Sequence, residues 1–145
     1  MKKIQFKKII HETSLYNIQF KDEQLPREDM MLKKEKDMLI EQRENMRGGK
    51  GVISFQHMFR QDEIQAKCRL CAKITVPVGA SIGVHQHLEE DEIFIILKGK
   101  GICDTGKTRK EFVAGDAILT VTGGSHSIEN TGDEDVEFIA LVMPY

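Results

Sequence analysis

Beyond Gly51 the apolar residues recur at every second position, in short runs divided by turn residues. This rhythm constrains the fold more than any other feature of the chain. Residues 52–59, 66–76, 92–98, 102–104, 109–113, 117–121, 126–130 and 136–142 read as strands. Between them stand Pro77 and Gly79, Gly99-Lys100-Gly101, Thr105-Gly106-Lys107, Ala114-Gly115-Asp116, Gly123-Gly124 and Thr131-Gly132-Asp133. These residues supply the preset or left-handed backbone angles that tight turns require. Many short strands at spacings of about 8–12 residues predict an all-β sandwich or closed barrel. The unbroken apolar run Ile93-Phe94-Ile95-Ile96-Leu97 predicts a strand buried on both sides.

Ahead of Gly48-Gly49-Lys50-Gly51 the composition shifts to Lys, Glu, Gln and Met, which divides the chain into an N-terminal extension (1–50) and a barrel domain (51–145). Within the extension, Ile4-Gln5-Phe6 and Ile18-Gln19-Phe20 are compatible with short strands. Pro26 suits a first helical position, and residues 27–46 hold neither Gly nor Pro. Leu32, Leu39 and Met46 recur at seven-residue intervals. The pattern predicts an amphipathic helix over about 27–46, stopped by the glycines and lying on the barrel or on a partner chain.

A length of 145 residues fits one domain with a core of its own. A net charge of -2 gives no electrostatic reason for nucleic acid or an anionic membrane as partner. No stretch approaches the ~20 apolar residues that span a bilayer, and the lysines and His11-Glu12 interrupt any apolar signal segment. Three cysteines, an odd number, fit reduced thiols and a cytoplasmic location.

The chemistry concentrates at His85-Gln86-His87. On an extended strand two imidazoles at this spacing share a face, with Cα atoms roughly 6.5 Å apart, and can converge on one ion. Glu92 lies at an odd offset from His87, so it must follow a bend; Leu88-Glu89-Glu90-Asp91 predicts a hairpin loop that brings it back across. Asp91 is the rival carboxylate. These side chains make a donor set of imidazole and carboxylate, which suits Mn, Fe, Co, Ni or Zn better than Ca or Mg.

These residues closely resemble the two motifs of the cupin family. Gly79, His85, His87, Glu92 and Gly99 fill the fixed positions of the first motif; Gly115, Gly123, His126 and Asn130 fill those of the second. The departure is Val121, where the family pattern has proline. The resemblance covers about residues 52–143 and implies a double-stranded β-helix, or jelly-roll barrel. It also implies that His85, His87, Glu92 and His126 bind one divalent transition metal ion. Small members commonly pair through barrel faces or exchanged N-terminal strands, which implies a homodimer.

Other reactive residues have plainer readings. Cys68-Arg69-Leu70-Cys71 spells CxxC, but on a strand positions three apart face opposite sides. Cys103 reads as a small buried residue or a pocket wall, and His57 as a half-buried structural histidine or a group facing the barrel interior. Glu89-Glu90-Asp91 reads as a solvated turn; Ser125 and Asn130 flank His126 and are candidates to orient it. The cupin resemblance implies a metal-dependent enzyme acting on a small oxygen-rich organic molecule, of dioxygenase, isomerase or decarboxylase type. The alternative is a non-catalytic protein that binds such a molecule. No residue is assigned as catalytic.

Overall fold

The computed structural model describes residues 30–145. His11, the two short strand candidates and residues 27–29 of the expected helix lie outside them. The strands are β1 (Leu39–Glu44), β2 (Val52–Phe59), β3 (Leu70–Val76), β4 (Ser81–Gln86), β5 (Glu90–Lys98), β6 (Lys100–Asp104), β7 (Arg109–Val113), β8 (Ala117–Thr120), β9 (Ser125–Asn130) and β10 (Val136–Pro144). They form a six-stranded sheet, β1-β2-β3-β10-β5-β8, and a four-stranded sheet, β4-β9-β6-β7. Every ladder is antiparallel.

The period-two pattern is what builds this barrel. Along β10, Val136, Phe138, Ala140 and Val142 are buried and the residues between them are not. The inward side chains of Val136, Phe138 and Ala140 meet Ile82, Phe112 and Ile128 of the smaller sheet in one core. Phe138 packs on Phe94 with ring centroids 4.5 Å apart, and truncating a core phenylalanine costs roughly 3–5 kcal/mol. The run 93–97 departs from expectation. Phe94 and Ile96 are buried, but Ile95 and Leu97 are 42% and 49% exposed. An antiparallel sheet with a bare outer face buries only one side.

The helix expected over 27–46 is also corrected. Glu35–Asp37 makes one 3-10 turn, and Leu39–Glu44 is strand β1. Its partners run from Leu39 opposite His57 to Glu44 opposite Val52. Helix propensity is a weak preference of a few tenths of a kcal/mol per residue, and here the open edge of β2 outweighs it. Arg43 lies over the Phe55 ring at 4.4 Å, and Glu41 meets His57 at 2.9 Å. Neither contact would survive in a helix. The glycine run forms the β1–β2 connection, with Asn45, Arg47, Gly48 and Gly51 all at positive φ.

That connection is tied to β4: Lys50 and Ser81 exchange two backbone hydrogen bonds of 3.1 and 2.9 Å. Gly83 is needed at this crossing, because a Cβ there would overlap the Arg47 carbonyl. The ladder between β4 and β9 slips between Ile82 and His85. This bulge turns His85 to the interior although it stands an odd number of residues from buried Ile82.

The expected hairpin between His87 and Glu92 does not form. β4 belongs to the smaller sheet and β5 to the larger, so the Leu88-Glu89 connection passes between sheets, with Glu89 at φ 59°. His87 is held instead by the loop after β8: its N–H donates to the Gly124 carbonyl and its carbonyl accepts from Gly123. Strand β3 also starts later than predicted. Cys68 precedes it and donates its thiol to the Leu70 carbonyl, so the strand argument about CxxC applies only to Cys71.

Candidate metal centre

His85 lies on β4 directly opposite His126 on β9. His87 follows β4, and Glu92 reaches in from β5 on the facing sheet. One ligand atom from each of these residues lies within 4.8 Å of the others. The Nε2 atoms of His87 and His126 are each 2.8 Å from Glu92 Oε2. His126 Nε2 lies 3.2 Å from Nε2 of both His85 and His87.

The outer ring nitrogens decide what those short distances mean. His85 Nδ1 donates to the Gly83 carbonyl at 2.9 Å, and His87 Nδ1 donates to Glu90 Oε1 at 2.7 Å. Both partners can only accept, so the proton of each neutral ring sits on Nδ1 and the lone pair on Nε2. The buried Thr120 hydroxyl, 2.7 Å from His126 Nδ1, can accept in the same sense. Three lone pairs and a carboxylate oxygen then face one point. Glu92 Oε2 is buried and, despite its near neighbours, has no aligned hydrogen-bond donor. Donors held about 2.1 Å from an ion at right angles to one another lie about 3 Å apart. The observed 2.8–3.2 Å separations therefore fit a transition-metal ion, and the nitrogen and oxygen donors suit one.

The ionisable groups of the centre are also electrostatically coupled when no ion lies between them. Burial alone would raise the Glu92 carboxyl, but the imidazoles of His126 and His87 outweigh it and hold the group at about 2. His87 is pushed up, chiefly by the Glu92 carboxylate beside it. His85 is held down, chiefly by burial. Arg69 grips both oxygens of Glu90 from the far side and is the main reason that carboxyl lies below its ordinary value. Phe94 stacks on His126 at 4.8 Å between centroids and fixes its plane.

A family model described as a cupin domain matches residues 72–142. A Thermotoga maritima protein named oxalate-binding protein is 39% identical over 113 residues, which are 78% of this chain and 93% of that protein. The chain belongs to the cupin family. A solved Thermotoga maritima structure described as a predicted oxalate decarboxylase aligns with this cupin at a TM-score of 0.75 and 38% identity. The alignment covers 79% of this chain and 100% of that one. A polyketide cyclase from Streptomyces resistomycificus, at a TM-score of 0.64 and 18% identity over 79% of each chain, shares the fold alone.

The remaining candidates fall outside the cluster of this cupin. Asp91 Oδ1 accepts from Thr122 N–H at 3.0 Å and from the Tyr145 hydroxyl at 2.7 Å, so it ties a loop. Asn130 does not orient His126; its amide donates to the carbonyls of Val76 and Glu134. His57 pairs with Glu41 away from the centre. The acidic run is not a solvated turn: Glu90 and Asp91 are both engaged, and Glu90 orients a histidine. Val121 leaves its turn closed, since its carbonyl accepts from Gly124 N–H at 2.9 Å. The sequence reading missed three orienting groups, Gly83, Glu90 and Thr120. Only Glu90 carried a signal, as a carboxylate three residues beyond His87.

A cavity of about 780 Å³ opens between β7 and β8 and reaches His126. Its walls include Cys103, Lys110, Phe112, Ile118, Thr120 and Ser125. No helix among the described residues is long and apolar enough to cross a membrane.

Proposed function

We propose that this cupin binds one divalent transition metal ion (Mn, Fe, Ni, Co or Zn) through His85, His87, Glu92 and His126. We read it as a metal-dependent enzyme acting on a small oxygen-rich organic acid. The single observation that carries the metal reading is the convergence of three Nε2 lone pairs on a buried carboxylate oxygen that lacks an aligned donor. Four electron-rich atoms at such distances repel one another unless a cation lies among them. The adjoining cavity argues for chemistry rather than a purely structural ion, since a closed structural site needs none.

When bound, such an ion supplies Lewis acidity towards a substrate oxygen and, if it is iron, a place for dioxygen chemistry. The chain's own part is orientation. Gly83 and Glu90 keep the protons of His85 and His87 on Nδ1, Thr120 holds His126 Nδ1, and Phe94 fixes the plane of His126. The alternative, a binding protein that returns its ligand unchanged, draws support from the name of the oxalate-binding relative. Elemental analysis of protein purified without chelators tests the metal reading, and one equivalent is expected. Incubation of that protein with oxalate and hydroxy and oxo acids separates the two activities. Product formation supports the enzyme, and stabilisation by an unchanged acid supports the binder.

We read the assembly as a homodimer. On the outer face of the larger sheet, Leu119 stands opposite Ile93, Ile93 opposite Leu141 and Ile95 opposite Ile139. This apolar row continues across three strands and is the surface a second copy would cover.

A further inference from the structure

The geometry points to Lys110 as the residue that selects the ligand, by reading a distal carboxylate on an organic acid whose other end lies at the metal centre. The inference rests on the metal reading above and adds the class of ligand.

Lys110 is placed on the barrel's interior face by two independent relationships. It pairs across the ladder with Cys103, whose side chain is buried in the core. It also shares a strand face with buried Phe112, two residues on. Its side chain is exposed there, where the interior opens to the cavity. Among the described residues no ion pair or hydrogen bond holds its ammonium. Neighbouring Arg109, on the outward face of the same strand, behaves differently and is paired with Glu129 at 3.2 Å.

The acidic residues along this wall do not neutralise Lys110. Glu111 borders the same cavity, but its side chain alternates to the outward side of β7, opposite Ile102. Asp116 is occupied, since its Oδ2 accepts from Val113 N–H at 2.9 Å. Lys110 and His126 line the same cavity, with Phe112 and Ile118 between them as apolar wall. A volume of about 780 Å³ lies in the range that holds drug-sized ligands and far exceeds what a two-carbon diacid fills. The cavity thus carries His126 of the metal centre, an apolar wall and the ammonium of Lys110, with Lys107 also on its lining, which together fit a longer diacid.

Calorimetric titration of the metal-loaded protein with 2-oxo acids matched in carbon number provides the test. The pairs are oxaloacetate with 2-oxobutyrate and 2-oxoglutarate with 2-oxopentanoate; in each, only the distal carboxylate differs. At least one diacid is expected to bind about tenfold or more tightly than its partner. Lys110→Met should abolish that preference while leaving monoacid affinity and metal content unchanged, and Lys110→Arg should restore much of it. A wild-type protein without the preference, or a Lys110→Met variant that keeps it, overturns the inference. A protein that takes up no metal removes the metal reading instead; the same titrations on that protein still decide the part played by Lys110.

Discussion

Glu90 accepts a hydrogen bond from His87 Nδ1 at 2.7 Å while Arg69 grips the same carboxylate from outside the barrel. The imidazole is thereby presented to the centre as a neutral ring with its lone pair inward. Removing such an orienting group typically costs 10–100-fold in metal affinity. Glu90→Ala is expected to weaken metal binding by about that factor with little change in fold. Glu90→Gln, which keeps an acceptor oxygen, should lose less. Competition against a chelator of known affinity measures both.

The ligands themselves should behave more steeply. His126→Ala and Glu92→Gln are each expected to leave far less than one equivalent of metal after dialysis, by elemental analysis. A full equivalent retained in either variant would contradict the assignment.

Glu41 gives the fold a pH dependence remote from the metal centre. The hydrogen bond from His57 is the main reason its carboxyl falls from 4.5 to about 2. A depressed carboxyl contributes stability that is complete above 4.5 and is lost as pH falls towards 2. Glu41→Gln should therefore unfold at lower urea than wild type at pH 7, by at most about 3 kcal/mol. The two proteins should draw together as pH drops from 4.5 towards 2. A gap that stays constant over that range would show that the ion pair is not its source.

Gly83→Ala places a methyl against the Arg47 carbonyl. The strand must shift, and with it the Gly83 carbonyl that accepts from His85. A fall in melting temperature accompanied by weaker metal binding is expected, and a change in only one of the two would separate the crossing from the site.

If the outer row joins two copies, Ile95→Lys together with Leu119→Lys should yield a monomer with unaltered metal content. Light scattering reads the mass directly.

The barrel was legible because period-two burial is written into single residues, as in Val136, Phe138, Ala140 and Val142. His85, His87 and Glu92 were legible from spacing and His126 from its likeness to the second cupin motif, and the structure gathers all four. What spacing does not record is which sheet a strand joins. The odd offset from His87 to Glu92 suggested a hairpin, but it marks a passage between sheets. Leu39 to Glu44 read as helix because its residues are good helix formers, and β1 forms through pairing with a strand that local sequence does not reveal. The Gly83 carbonyl was invisible for a related reason. Main-chain acceptors leave no trace in side-chain identity, and only the bulge in β4 aims this one at His85.

The passage between sheets has a mechanical side. Glu92 rides on one sheet, His85 and His126 on the other, and His87 on the turn that joins them. An ion held by all four clasps the two halves of the barrel at that end. Any parting of the sheets at that end would have to stretch this clasp, so such an ion would brace the barrel's mouth as well as serve its chemistry.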